Sequence, residues 1–295
     1  MAVSPIWSRF VRFISEDGRE LCGEPVEEDL DIGLALAAGH NVEVQVSSAT
    51  SALEIGSFTG EIASIQKLLS PIAPQEVGTI RCIGLNFKDH AAELNLPLPT
   101  VPEVFMKPAG CLNNPLDPVI VPRSASLAVD AEVELAIVIG KDCKNVDVAS
   151  ASDYILGFTT ANDITCRDVQ GKTSQWGYCK GYDGFCPLGP TLVSAQRLAE
   201  PLQLSMQTII NGEIVQDGTT TDMIFSPAEI VSYLSKDTTL PKGTVILTGT
   251  PSGIGHSHQP PRYLSPGCEL KVGIGRLLGT LVNPIIADNT SHARL

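Results

Sequence analysis

The sequence predicts an α+β fold that is mostly β, a large mixed sheet with a small N-terminal unit in front of it. Three observations carry this. Short apolar stretches with period-two alternation recur from residue 78 onward, separated by turn signals such as Asn211-Gly212 and Asp217-Gly218. Helical periodicity is confined to a few brief segments. The 26 glycines and 21 prolines are spread over the whole chain, which suits a turn-rich compact protein and not a low-complexity one.

The elements follow in order. Phe10-Val11-Arg12-Phe13-Ile14 alternates as a strand and turns through Asp17-Gly18 into Glu20-Leu21-Cys22-Gly23. A hairpin is therefore preferred to a mitochondrial presequence, which the two arginines before Glu16 faintly suggest. A helix is expected near residues 29–36, ending at Gly39, and a second through 62–69, stopped by Pro71 and Pro74. Strands are predicted at 79–85, 119–121, 132–139, 154–163, 204–210, 245–248, 269–274 and 278–282. The expected division is a small α+β domain over residues 1–75 and a second domain over 76–295.

The 295 residues carry 20 basic and 33 acidic side chains, a formal charge of −13. Such a balance excludes nucleic acid and anionic membrane surfaces as partners, because both need clustered Lys and Arg. The eight cysteines form no CxxC pair, so reduced thiols are expected, not a disulfide framework or a zinc site. No apolar run is long enough to span a bilayer. Ala293-Arg294-Leu295 is a variant of the small-basic-Leu tripeptide read by peroxisomal import receptors. The expected location is cytoplasmic or peroxisomal, not secreted.

Thr248-Gly249-Thr250-Pro251-Ser252-Gly253-Ile254-Gly255 imitates a dinucleotide-binding loop, but Pro260 and Pro261 forbid the helix such a loop must open. Ser252 lacks a GxSxG elbow. His256 and His258 read as exposed polar side chains and His40 as a surface residue.

Three acidic or basic constellations carry more. Glu132 and Glu134 project from one face of a strand whose other face is Val133, Leu135, Ile137 and Ile139. Neighbouring carboxylates repel unless a cation lies between them, and hard divalent ions take such oxygens. Two solvated glutamates are the alternative. Asp163 ends an apolar strand, where a buried carboxylate needs a partner: a shared metal, or Arg167, which is placed to pair with Asp163 or Asp168. His90 and Glu93 are three apart, so one helical turn makes them neighbours, either a base with its orienting carboxylate or a plain surface pair.

Together these segments resemble the fumarylacetoacetate hydrolase superfamily, most closely its fumarylacetoacetate hydrolase domain-containing branch. The resemblance rests on GLNFKDHAAE (84–93), FMKP (105–108), VDAEVELAIVIGK (129–141), ANDITCRDVQ (161–170), QWGYCKGYDGFCPLGP (175–190), MIFSP (223–227) and ILTGTPSGIG (246–255), in that order. It implies that family's mixed β-sheet roll. Glu132, Glu134 and Asp163 fall on its Mg²⁺ or Mn²⁺ ligands, and His90 with Glu93 on its water-activating dyad. Lys107, Gln170, Lys180 and Thr250 fall on positions that contact the oxo-acid oxygens, Lys180 also assisting catalysis. Phe87 replaces a frequent Tyr, and Ile83 stands where fumarylacetoacetate hydrolases proper carry an extra Asp ligand.

The resemblance implies a divalent-metal-dependent enzyme that hydrolyses a carbon–carbon bond in a β-dicarbonyl or acylpyruvate-type 2-oxo acid through a metal-stabilised enolate. The alternatives are an oxaloacetate keto–enol tautomerase, which QPPRYL (259–264) resembles, or decarboxylase, and a non-catalytic oxo-acid-binding member. The family habit also implies a homodimer.

Overall fold

The computed structural model describes residues 4–125, 127–198 and 202–288. The tripeptide 293–295 lies outside the described residues. The fold is α+β and mostly β, with three sheets among the described residues. The largest runs Glu20–Pro25, Glu43–Ser47, Phe58–Leu69, Arg9–Ser15, Cys186–Ser194, Ile155–Asn162, Val133–Ile139, Val245–Leu247, Thr79–Gly84, Glu103–Pro108. It is antiparallel along this path except where Val245–Leu247 runs parallel to Thr79–Gly84. A second sheet, Glu213–Thr219, Ser205–Ile210, Glu269–Ile274, Gly279–Ala287 and Val119–Val121, packs across Val133–Ile139, Ile155–Asn162 and Cys186–Ser194. All seven residues of Val133–Ile139 are buried as a result. A two-stranded ribbon pairs Val129–Asp130 with Thr165–Cys166.

The first strand belongs to the large sheet, Arg9 opposite Val193 and Phe10 opposite Leu192. Arg9 is 2% exposed, and its guanidinium donates to the carbonyls of Glu28, Leu30 and Leu277. Residues 11–68 nevertheless hold an apolar cluster of their own around Val11, Phe13, Ile32 and Leu68. The expected first helix is Ile32–Ala37, capped by the Asp31 side chain on Leu34 N–H. All eight cysteines are free thiols, seven of them buried. No helix of the described residues is long and apolar enough to cross a membrane.

Two expectations fail. Residues 62–69 form no helix; they lie in the strand Phe58–Leu69, hydrogen-bonded to Glu43–Ser47 and Arg9–Ser15. Ile62, Ile65 and Leu68 mimic a helical stripe, yet Ile62 is 58% exposed while Leu68 is 1%. Neighbouring strands on both sides outweigh that weak local pattern. Pro74 likewise opens the four-residue helix Pro74–Val77 instead of stopping one, since a proline at the first turn loses no helical hydrogen bond. Asp217-Gly218 is no turn: it lies inside Glu213–Thr219. A Cβ on Gly218 would come within 2.4 Å of Pro251 Cβ, so this glycine lets the 248–255 loop lie against the strand.

Candidate functional site

The antiparallel pairing of Val133 with Asn162 sets Glu132 beside Asp163. Asp163 N–H donates to Glu132 C=O (2.9 Å) and Glu132 N–H to Asn162 Oδ1 (3.0 Å). Glu134, two residues on, joins them: one carboxylate oxygen from each of the three lies within 4.8 Å of the others. All three are buried.

Buried carboxylates need compensation. Lys180 Nζ lies 3.0 Å from Glu132, 2.6 Å from Asp163 and 2.7 Å from Thr165 Oγ1. Lys107 Nζ lies 2.5 Å from Asp163 and 2.7 Å from Phe185 C=O. Arg167 reaches Glu132 at 2.6 Å and Asp130 at 2.9 Å. It does not serve Asp163 or Asp168, because the 129–130/165–166 ribbon sets Asp130 opposite Thr165, next to the arginine. Burial alone would raise the Glu132 carboxyl, but Lys180 and Arg167 outweigh it and bring it down to about 2. Glu134 is pushed well above the usual carboxylate range by burial and by Asp163 and Glu132. Its one hydrogen bond is from Gly249 N–H at 2.6 Å. Gly249 presents that N–H from a φ of +96°, a conformation that disfavours other residues.

The charge count is a test of fit for a cation. With all four ionised, Asp130, Glu132, Glu134 and Asp163 exceed Lys107, Arg167 and Lys180 by one negative charge, and the excess falls on Glu134, the carboxyl driven toward its protonated form where no cation is bound. All-oxygen donors with surplus negative charge suit a hard divalent ion. Glu132, Glu134 and Asp163 are the residues able to hold it.

The dyad candidates meet. On the helix Lys88–Glu93, His90 Nδ1 is 2.7 Å from Glu93 Oε2. Burial acts to raise the Glu93 carboxyl, but hydrogen bonds from His90 and Gly253 N–H carry it below its ordinary value. As a carboxylate Glu93 accepts, so Nδ1 donates and Nε2 is left with the lone pair. The helix is fastened to the 248–255 loop: Gly253 N–H donates to Glu93 (2.8 Å) and Ser252 Oγ to Asp89 (2.7 Å).

A cavity of about 470 Å³ opens over these groups, lined by His90, Glu132, Glu134, Arg167, Gln170, Lys180 and Thr250 on its polar side. Ile83, Leu94, Leu96, Phe105, Trp176 and Ile254 form the apolar side. Lys107 is not in this wall; it is fully buried behind Asp163, where it positions a carboxylate. Glu93 also stands behind the wall, hydrogen-bonded to His90. His256 lines the cavity with Nδ1 2.7 Å from Tyr263 Oη, and His258 Nε2 rests on Gly253 C=O at 3.1 Å. Ser252 Oγ is held by Asp89, and the loop around it opens only the three-residue 3₁₀ turn Gly255–Ser257.

Sequence reasoning missed two supports. Asp130 accepts from Gly255 N–H (2.9 Å), His256 N–H (3.0 Å) and Arg167, tying the loop to Glu132. Its i, i+2 spacing from Glu132 was the available signal. Gln216 accepts from Val133 N–H (3.0 Å) and donates to Thr250 Oγ1 (2.8 Å). No local pattern marks this role, since the two groups it ties together, Val133 N–H and Thr250 Oγ1, are 83 and 34 residues away.

Comparison with known proteins now bears on the whole arrangement. The family profile described as "Fumarylacetoacetate (FAA) hydrolase C-terminal" matches residues 79–286. The chain is 36% identical to a caffeoylpyruvate hydrolase of Neonothopanus nambi, over 99% of this chain and 97% of that protein. It is 39% identical to "Oxaloacetate tautomerase fahd2, mitochondrial" of Xenopus laevis, over 83% of this chain and 76% of that one. Among solved structures, a 2-hydroxyhepta-2,4-diene-1,7-dioate isomerase from Mycobacterium marinum superimposes with a TM-score of 0.79 at 33% identity, covering 96% of this chain and 100% of the other. With the profile spanning every element that builds the cavity, the chain belongs to the fumarylacetoacetate hydrolase family.

Proposed function

We propose that this protein is an enzyme that cleaves the carbon–carbon bond of an acylpyruvate-type 2-oxo acid by hydrolysis, with Mg²⁺ or Mn²⁺ held by Glu132, Glu134 and Asp163. The observation that carries the reading is the His90–Glu93 pair at 2.7 Å beside the carboxylate cluster. Loss of CO₂ needs no base, and keto–enol conversion would use the pair only to carry a proton between carbon and oxygen, whereas hydrolysis uses it to activate water. The relative named as a caffeoylpyruvate hydrolase, matched over nearly the full chain, supports it.

When bound, the cation supplies Lewis-acid polarisation of the 2-oxo group and offsets negative charge that develops there. His90 Nε2 takes a proton from water, and Glu93 stabilises the imidazolium. The hydroxide adds to the acyl carbonyl, the bond to the methylene carbon breaks, and its electron pair becomes the pyruvate enolate. His90 returns the proton to that carbon, leaving pyruvate and the carboxylic acid. Lys180 remains an ammonium, its tendency to lose charge on burial overcome by Asp163 and Glu132, and it serves the substrate's oxygens together with Gln170 and Thr250. Residues 1–75 are read as a small domain with its own apolar cluster.

A second reading, oxaloacetate tautomerase, draws on the Xenopus relative. A panel of benzoylpyruvate, a longer β-diketo acid and oxaloacetate separates them on metal-loaded protein. The expected result is metal-dependent release of benzoate and pyruvate. Fast enol loss from oxaloacetate without any cleavage or CO₂ would transfer the reading to the tautomerase.

The Glu134 shift gives a test of the ligand set. A carboxyl raised in the folded state favours folding while protonated, fully so below its unfolded value near 4.3, and this contribution is lost as pH rises through the folded value. A cation that pairs with the ionised form reverses the loss. The rise in melting temperature produced by Mg²⁺ is therefore larger at pH 8 than at pH 5. An equal rise at both values would remove Glu134 from the ligands.

A further inference from the structure

The strand Glu103–Pro108 measures the cavity. Alternate residues share a face, so Glu103, Phe105 and Lys107 point to one side while Val104 and Met106 are exposed on the other. At about 3.3 Å per residue, Glu103 lies about 13 Å along the strand from Lys107. Lys107 meets Asp163 at the deep end. The Phe105 ring comes next, its centroid 5.2 Å from Lys180 Nζ and 5.5 Å from the Trp176 ring. Glu103 comes last, at the mouth. Its Oε2 is 3.6 Å, and the Trp176 ring 2.8 Å, from where a Cβ on Gly84 would stand, so carboxylate and indole meet over that glycine.

The cations of the cavity wall, Lys180 and Arg167, are both at the deep end and engaged by carboxylates. Next to the Trp176 ring the cavity carries the carboxylate of Glu103, exposed and acidic. Filled with water at ~30 Å³ each, the cavity would hold about sixteen molecules, far more than a four-carbon diacid displaces.

Resting on the hydrolase reading, we infer that the cavity takes a 2-oxo acid with a flat, uncharged acyl group lying against the edge-to-face Phe105–Trp176 pair, and that Glu103 is the specificity-determining residue, rejecting a second carboxylate and accepting a hydroxyl donor at the far end of that group.

The probes are 4-hydroxybenzoylpyruvate and 4-carboxybenzoylpyruvate, with binding to Mg²⁺-loaded protein read by quenching of tryptophan fluorescence and turnover by kcat/KM. Wild type binds the hydroxyl compound more tightly. The preference falls about fivefold in Glu103→Gln and about twenty-five-fold in Glu103→Lys, the contact effect of one and two unit charges in water. A preference unchanged in both variants overturns the inference, whether or not the probes are cleaved. Shifted binding without cleavage in wild type upholds the inference and overturns the hydrolase reading instead.

Discussion

Replacing His90 by alanine is expected to lower carbon–carbon hydrolysis by about 10²–10⁴-fold, the usual contribution of a positioned base. Its Nδ1 is taken by Glu93 and it lies outside the carboxylate cluster, so elemental analysis should find the metal content unchanged. Glu93→Gln should lose less, because the imidazole remains while only its orientation and the stabilisation of its cation suffer. Undiminished cleavage in His90→Ala would mean that water is activated elsewhere. Loss of metal together with activity would mean that the histidine belongs to the cation site.

Lys107→Met carries the largest expected effect on stability. Lys107 and Asp163 are both wholly buried, and removing one partner of a buried ion pair costs about 3–5 kcal/mol. That is a sizeable part of the roughly 5–15 kcal/mol that holds an ordinary domain folded. Lys180 still serves Asp163, which places the loss nearer the lower figure. Urea unfolding of metal-free protein measures it, and added Mg²⁺ should recover part of it. Stability within about 0.5 kcal/mol of wild type, a shift usual for surface changes, with a raised KM would return Lys107 to the substrate contacts.

Lys107 also marks where the sequence stops being readable. Period two shows that Glu132 and Glu134 share a face, because that depends on the strand alone. The nearness of His90 to Glu93 is equally local, a matter of one helical turn. Depth is different: the FMKP segment does not show whether its lysine ends in the cavity or behind Asp163, since the sheet's path decides that. Arg167 was legible as a cation near acids, but its choice of Asp130 and Glu132 depends on a ribbon joining segments 35 residues apart. Residues 62–69 went wrong for the same reason, their strand being made by two neighbours from other parts of the chain.

The Arg9 guanidinium described above has a consequence for when this protein can fold. One of its acceptors, Leu277 C=O, is 268 residues further along the chain. On the ribosome the first strand is made early, yet a strong buried donor waits until a further 268 residues have been made. Asp31 waits as well, since it accepts from Thr280 Oγ1 at 2.8 Å. Closure of the N-terminal region thus depends on contacts of very long sequence separation, the kind that slow folding most.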